Sequence, residues 1–118
     1  MQKTNARDIC PASEKIPAVV QLGPFSYEVK IEDASMPDDD NYHQFGEIDY
    51  RRREIRVTRF RCRQESQEES FCHEVMHGLF DLAKIERDEK LCENTVCRLG
   101  VALYQLLKNN RLYFGEED

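Results

Sequence analysis

Alternation of apolar and polar residues in the first half of the chain predicts three β-strands. Residues 25–31 place Phe, Tyr, Val and Ile at every second position, with Ser, Glu and Lys between them, a period typical of a half-buried strand. Residues 46–50 and 54–58 are two further segments of this kind, joined by a polar, arginine-rich link, and we expect them to pair as a hairpin. Residues 1–17 lack clear periodicity and are expected to form an irregular lead-in.

Helical periodicity in the second half predicts two long α-helices. Ser66 and Glu69 have the Ser-x-x-Glu spacing of a capping box, which places the first helix at about residues 67–84. Asp88 can cap a second helix over residues 89–109. The apolar face of the first helix is centred on four residues: Phe71, Val75, Leu79 and Leu82.

Strands followed by helices indicate an α+β domain. We expect a small, mostly antiparallel three-stranded sheet followed by two long helices that pack on one face of it. A chain of 118 residues can bury one core but leaves little room for a second. Residues 1–118 are therefore expected to form a single domain, with a C-terminal tail at residues 111–118.

Composition favours a soluble, intracellular protein. Hydrophobic residues make up 40% of the chain and charged residues 34%. No apolar run approaches the roughly 18–20 residues that cross a membrane, and the first ten residues lack the apolar segment of a secretory signal. The five cysteines form no CxxC motif, so we expect free thiols and a cytoplasmic location without membrane contact.

The distribution of charge suggests two kinds of partner. A formal net charge of −6 disfavours general attraction to nucleic acid. Seven arginines between Arg51 and Arg63 are the local exception, and they could engage an acidic protein or a nucleic acid. The simpler explanation is a charged edge strand that resists aggregation.

The segment from His73 to His77 reads His-Glu-Val-Met-His, which is an HExxH motif. The two histidines are about one helical turn apart, so both imidazoles project from one face of the helix and can bind the same cation. In such sites the histidines hold zinc and the glutamate, here Glu74, is the general base. Random order of this composition would produce the motif about 0.01 times. The motif therefore indicates a zinc metallopeptidase.

A catalytic zinc site needs a third protein ligand and leaves the fourth position to water. Glu93 is our first candidate, because it projects from the edge of the apolar face of the second helix. Asp81 and Glu89 are the alternatives. Gly100, which has no side chain, would let the two helices approach closely.

Two other kinds of zinc protein can be compared with this pattern. Metzincins require glycine and histidine where this chain has Phe80 and Ala83, so that class is excluded. A structural zinc site would need four protein ligands, and Cys97, four residues after Glu93, could supply one. The plan of a glutamate zincin, with the third ligand on a following helix, fits best.

The segments 46–49, 54–57 and 69–77, together with Glu93 and the pattern that follows Gly100, resemble the ImmA/IrrE-like metallopeptidases. The similarity is greatest to the small versions found in phages and prophages, and it covers about residues 46–110. The resemblance implies a zincin-like core, with zinc bound by the two motif histidines and Glu93. It also implies the cytoplasm of a bacterial or phage-infected cell and a regulatory protein as a possible substrate.

The expected reaction is zinc-dependent hydrolysis of a peptide bond, with Glu74 moving the proton. The strand at residues 54–58, if it is an edge, could pair with an extended substrate. Candidates for the donor to the oxyanion are four residues: Tyr42, His43, Tyr50 and Tyr104. The alternative function is a metal-stabilised binding module without catalysis, which would use the region from Arg51 to Arg63.

Overall fold

Four strands and then two helices form the part of the chain that this computed structural model describes, residues 8–34, 45–84 and 89–110. The elements are β1 (Val19–Leu22), β2 (Phe25–Glu32), β3 (Gly46–Asp49), β4 (Glu54–Thr58), α1 (Gln64–Leu82) and α2 (Glu89–Asn109). The predicted α+β class is confirmed. The predicted cap at Asp88 and the predicted tail at residues 111–118 lie outside the described residues.

The strands form one mixed sheet in the order β1-β2-β4-β3. β1 and β2 pair antiparallel across a turn at Gly23, whose φ of 62° lies in the left-handed region that glycine adopts without strain. β2 and β4 pair parallel, with Val29 opposite Ile55, and β3 and β4 pair antiparallel. The predicted number of three strands is therefore wrong, because there is a fourth strand; the expected antiparallel pairing holds for two of the three strand pairs, and the central pair is parallel.

Both differences have physical reasons. β1 has four residues with the sequence Val-Val-Gln-Leu, which is too short to show a clear period of two. The parallel pair arises because β3 occupies the far edge of the sheet and turns back into β4, which then lies beside β2. Hydrophobic alternation identifies strands but does not give their order across a sheet.

The predicted hairpin of β3 and β4 is confirmed. Ile48 pairs with Ile55, and the side-chain oxygen Oδ1 of Asp49 accepts the backbone N–H groups of Arg51 and Arg52 at 3.0 and 3.1 Å. β4 lies between β2 and β3, so the expectation that it is an edge strand is wrong. Among the described strands, the edges of the sheet are β1 and β3.

The core lies between α1 and one face of the sheet. Its buried residues include Tyr27, Ile55, Val57, Phe71 and Val75. Removing each such side chain from water contributes about 1.5–3 kcal/mol, so this layer holds α1 on the sheet. The motif histidines therefore lie on a helix that is fixed from one side.

The start of α1 differs from the prediction. The helix begins at Gln64, with Arg63 in the N-cap position and no side-chain hydrogen bond there, so the predicted capping box at Ser66 is wrong. Gln67 explains the difference. Its side-chain amide accepts the backbone N–H of Ser13 and donates to the backbone oxygens of Pro11 and Cys62, at 2.9, 2.9 and 2.8 Å. Contacts with the lead-in define the first turn in place of a local cap.

Free thiols and polar helices characterise the described residues. The cysteines whose side chains are described, Cys10, Cys62, Cys72 and Cys97, are free, as expected from their spacing. None of the described helices combines the length and the apolar character needed to cross a membrane.

Candidate metal centre

The candidate site lies between α1 and α2, which run antiparallel. Three contacts define their alignment: Lys108 Nζ lies 3.2 Å from Glu65 Oε2, the Tyr104 hydroxyl donates to Glu68 Oε1 at 3.0 Å, and Gly100 lies against His73. Residue numbers rise along α2 as they fall along α1. Continuing in this direction, Glu93 comes to lie beside the two motif histidines.

Gly100 allows the backbones of the two helices to approach closely, as expected. A Cβ atom at this position would lie 3.1 Å from the Cα and 3.4 Å from the backbone nitrogen of His73. A side chain here would hold α2 away from α1. The approach brings a carboxylate on α2 within reach of imidazoles on α1.

His73, His77 and Glu93 form a group that could bind a metal ion. His73 Nε2 lies 3.3 Å from Glu93 Oε2, and His77 Nε2 lies 3.1 Å from Glu93 Oε1. One ligand atom from each residue lies within 4.8 Å of the others. A tetrahedral zinc ion with ligands at about 2.0–2.1 Å would space those ligands about 3.3–3.4 Å apart. Each histidine approaches a different oxygen of the Glu93 carboxylate at a distance close to that spacing.

The environment of His73 favours the neutral imidazole that a metal requires. Burial is the largest influence and lowers the pKa of His73, while the carboxylate of Glu93 acts in the opposite direction. Neutral imidazole has a free nitrogen lone pair, whereas the protonated form cannot bind a cation. His73 is therefore suited to ligation near neutral pH.

Glu74 lies on the buried side of α1, against the first residue of β3. Only 7% of its surface is exposed. A Cβ atom on Gly46 would lie 3.3 Å from both Cγ and Oε2 of Glu74, so glycine at this position leaves room for the carboxylate. Burial, with a smaller contribution from Glu93, raises the pKa of Glu74 to about 8. A carboxyl group with such a pKa can both accept and release a proton near neutral pH.

Two of the predicted oxyanion donors already have acceptors. The Tyr50 hydroxyl donates to the backbone oxygen of His77 at 3.3 Å, and the Tyr104 hydroxyl donates to Glu68. Tyr104 follows Gly100 by four residues, about one turn of α2, and is therefore farther along the helix from Glu93 than Gly100 is. Tyr42 and His43 lie outside the described residues.

The alternative third ligands differ from Glu93 in position. Asp81 is exposed and lies outside the group formed by His73, His77 and Glu93. Burial raises the pKa of the Tyr27 phenol, and the Asp81 carboxylate adds to the rise. Glu89 begins α2, but its side chain lies outside the described residues.

Cys97 lies beside the group without belonging to it. Its Sγ atom is 3.6 Å from Glu93 Oε2, at hydrogen-bonding distance for a thiol. Burial raises the pKa of Cys97, and the nearby carboxylate of Glu93 adds to the rise. Cys97 is not among the three described residues whose ligand atoms converge, so the described geometry does not provide a fourth protein ligand.

The arginines between Arg51 and Arg63 do not form a single basic surface. Arg56 pairs with Glu47, Arg59 with Asp33, Arg61 with Asp8, and Arg53 lies over the ring of Phe25. Arg63 is at the start of α1. Arg51 and Arg52 remain as exposed cations at the β3–β4 turn. Most of this charge therefore serves contacts within the chain.

Comparisons with family models, with curated proteins and with solved structures found no match to this chain. The functional argument accordingly depends on the geometry of the site.

Proposed function

We propose that this protein is a zinc-dependent peptidase that hydrolyses a peptide bond in a protein substrate. His73, His77 and Glu93 would hold the zinc, and Glu74 would be the general base. The observation that carries the proposal is the convergence of the three ligand candidates from two helices, with Glu74 buried on the adjoining side of α1. Two histidines and one glutamate form the ligand set of a known class of catalytic zinc sites.

The donor atoms fit zinc better than magnesium or calcium. Those ions take oxygen ligands, whereas imidazole suits zinc and other transition metals. The group would supply two neutral nitrogens and one carboxylate to a divalent cation, which leaves a net positive charge at the site. That charge is what polarisation of a carbonyl group requires.

The proposed mechanism assigns the proton transfers to Glu74. Zinc at this group would polarise the scissile carbonyl and lower the pKa of a coordinated water to about 7. The Glu74 carboxylate would take a proton from the attacking water and deliver it to the departing amine. Its burial against Gly46 restricts the orientations of the carboxylate and shields it from bulk water.

β3 is the strand with which an extended substrate would pair. It is an edge of the described sheet, and it begins at Gly46, next to Glu74. Backbone pairing along this edge would bring a peptide past the general base without requiring a particular sequence. β4 cannot have this role, because strands lie on both of its sides.

Membership of the ImmA/IrrE-like metallopeptidases, and with it a regulatory protein as substrate in a bacterial or phage-infected cell, is part of the same proposal. It is supported by the order of a β-hairpin, an HExxH helix and a following helix that carries Glu93. The alternative of a non-catalytic module that binds through the arginines has less support, since four of the seven arginines have partners within the chain.

The experiment that tests catalysis compares the wild-type protein with Glu74→Gln. These two proteins and a control variant, Glu69→Gln, are loaded with zinc and incubated with peptides prepared from a bacterial lysate. New N-termini are then counted by mass spectrometry. We expect new termini with the wild type and with Glu69→Gln, an exposed position on the same helix. Glu74→Gln should keep its metal and produce none. Equal cleavage by Glu74→Gln would contradict the assigned base.

A further inference from the structure

We propose that Tyr104 is a positioning residue for the metal site: its hydrogen bond to Glu68 sets the register of α2 along α1 and so holds Glu93 at the two histidines. The proposal rests on the function proposed above, and it concerns a residue outside the predicted ligand set. Tyr104 does not contact the candidate ligands. It would act through the position of the helix that carries Glu93.

Glu93, Gly100 and Tyr104 lie along one face of α2. Their spacings of seven and four residues correspond to about two turns and one turn of an α-helix. Each contacts α1 at a different height: Glu93 at His73 and His77, Gly100 at the backbone of His73, and Tyr104 at Glu68. A shift of α2 along its axis therefore changes all three contacts together.

The contact of Tyr104 with Glu68 is buried and directional. Tyr104 is 5% exposed and Glu68 is 8% exposed, and the hydroxyl donates to Glu68 Oε1 at 3.0 Å. The other oxygen of Glu68 accepts the hydroxyl of Ser13 at 2.5 Å. Glu68 is itself a residue of α1, and the two donors reach different oxygens of its carboxylate, so Ser13 does not share the oxygen that Tyr104 contacts.

The other contacts between the helices define the register less well. Gly100 limits how closely α2 approaches but offers no side chain that resists sliding. Lys108 and Glu65 are an exposed pair, which contributes little in water. A slip of α2 by one turn along α1 would move Glu93 by about 5.4 Å, whereas metal ligands must be placed within about 0.5 Å of their binding geometry. Among the polar contacts described between the two helices, this buried hydrogen bond is the directional one that favours a single register, in addition to the apolar packing of the buried Val96.

The test compares two variants, each of which removes one hydroxyl group that donates to the Glu68 carboxylate. Tyr104→Phe removes the hydroxyl that reaches Glu68 from α2, and Ser13→Ala removes the one that reaches it from the lead-in. Zinc affinity is measured by competition with a chromogenic chelator, and thermal unfolding is measured in parallel. We expect Tyr104→Phe to weaken zinc binding about tenfold, the equivalent of losing one buried hydrogen bond. Ser13→Ala should bind zinc within about twofold of the wild type at a similar loss of stability.

A second readout needs no metal. In the metal-free protein, imidazole ¹⁵N chemical shifts of His73 and His77 report the adjoining carboxylate oxygens of Glu93. They should change in Tyr104→Phe and stay at wild-type values in Ser13→Ala. If the wild type binds no zinc, the metal proposal fails, and these shifts still decide whether Tyr104 positions Glu93. Equal zinc affinities in the two variants, or unchanged shifts in Tyr104→Phe, would overturn the inference.

Discussion

Gly100 lies directly against the backbone of His73, so α1 and α2 meet at a position where α2 carries no side chain. The Cβ that any other residue would place there is 3.1 Å from His73 Cα. Backbone atoms cannot rotate away as the end of a side chain can. The separation of the helices, and with it the reach of Glu93, therefore depends on a single methyl-sized space.

Replacing Gly100 by alanine should weaken zinc binding. The added Cβ requires a shift of a few tenths of an ångström between the helices, which moves Glu93 relative to both histidines. We expect zinc affinity to fall, as measured by chelator competition. Alanine also favours the helix by about 1 kcal/mol over glycine, so affinity should fall even if α2 itself becomes more stable.

The control for this variant is Val101→Ala, at an exposed neighbour on the same helix. It should bind zinc as the wild type does. If Gly100→Ala bound zinc with wild-type affinity, the close approach of the two helices would not be needed for zinc binding.

Glu74 should make the stability of the metal-free protein depend on pH. Burial raises the pKa of Glu74 from 4.5 to about 8 in the folded protein. Between these values the folded state holds a proton that the unfolded state has released, so the contribution of Glu74 to stability is fully present below about pH 4.5 and is lost as pH rises toward 8. The loss should not exceed about 1.4 kcal/mol per pH unit.

Urea denaturation of the metal-free protein at several pH values between 5 and 8 measures this effect. Glu74→Gln cannot ionise, so its stability should fall less with pH than that of the wild type. Glu69→Gln, at an exposed position, should follow the wild type. Parallel pH profiles for Glu74→Gln and the wild type would mean that Glu74 does not titrate in this range.

Gln67 should be important for stability although it is not part of the candidate metal site. It is fully buried, and its amide makes three hydrogen bonds to backbone groups of Ser13, Pro11 and Cys62. Gln67→Ala would leave those groups without partners, at a cost of about 3 kcal/mol in the free energy of unfolding. Urea denaturation measures this loss.

Gln64→Ala is the matched control for Gln67→Ala. Gln64 is exposed, and its amide donates to the backbone oxygen of Ala12 at 3.1 Å. Its replacement should change stability by less than about 0.5 kcal/mol. A similar small effect for Gln67→Ala would contradict the view that this residue anchors the lead-in.

Features that depend on local periodicity could be predicted from the sequence. The spacing of His73 and His77 follows from helix geometry, and the β3–β4 hairpin follows from two short apolar segments with a polar link. The close approach at Gly100 was also predictable, because only a glycine on a helix face permits it.

Features that depend on distant contacts could not be predicted. The parallel pairing of β2 with β4 is a property of the whole sheet. The buried face of α1 is turned toward Glu74, so Leu79, expected at the centre of the apolar face, is 37% exposed. The burial of Gln67 and Glu68 has no signal in hydrophobic periodicity, since polar residues are buried here by partners from the lead-in and from α2.

The central claim is that His73, His77 and Glu93 bind zinc, and metal content tests it most directly. Protein purified without an affinity tag is analysed by mass spectrometry for zinc and for other transition metals. The wild type is compared with His73→Ala, Glu93→Ala and, as the control, Asp81→Ala. We predict about one zinc per chain in the wild type and in Asp81→Ala, as one His₂Glu site requires, and loss of the metal in the other two. Absence of zinc from the wild type even after its addition, or full zinc content in Glu93→Ala, would contradict the account.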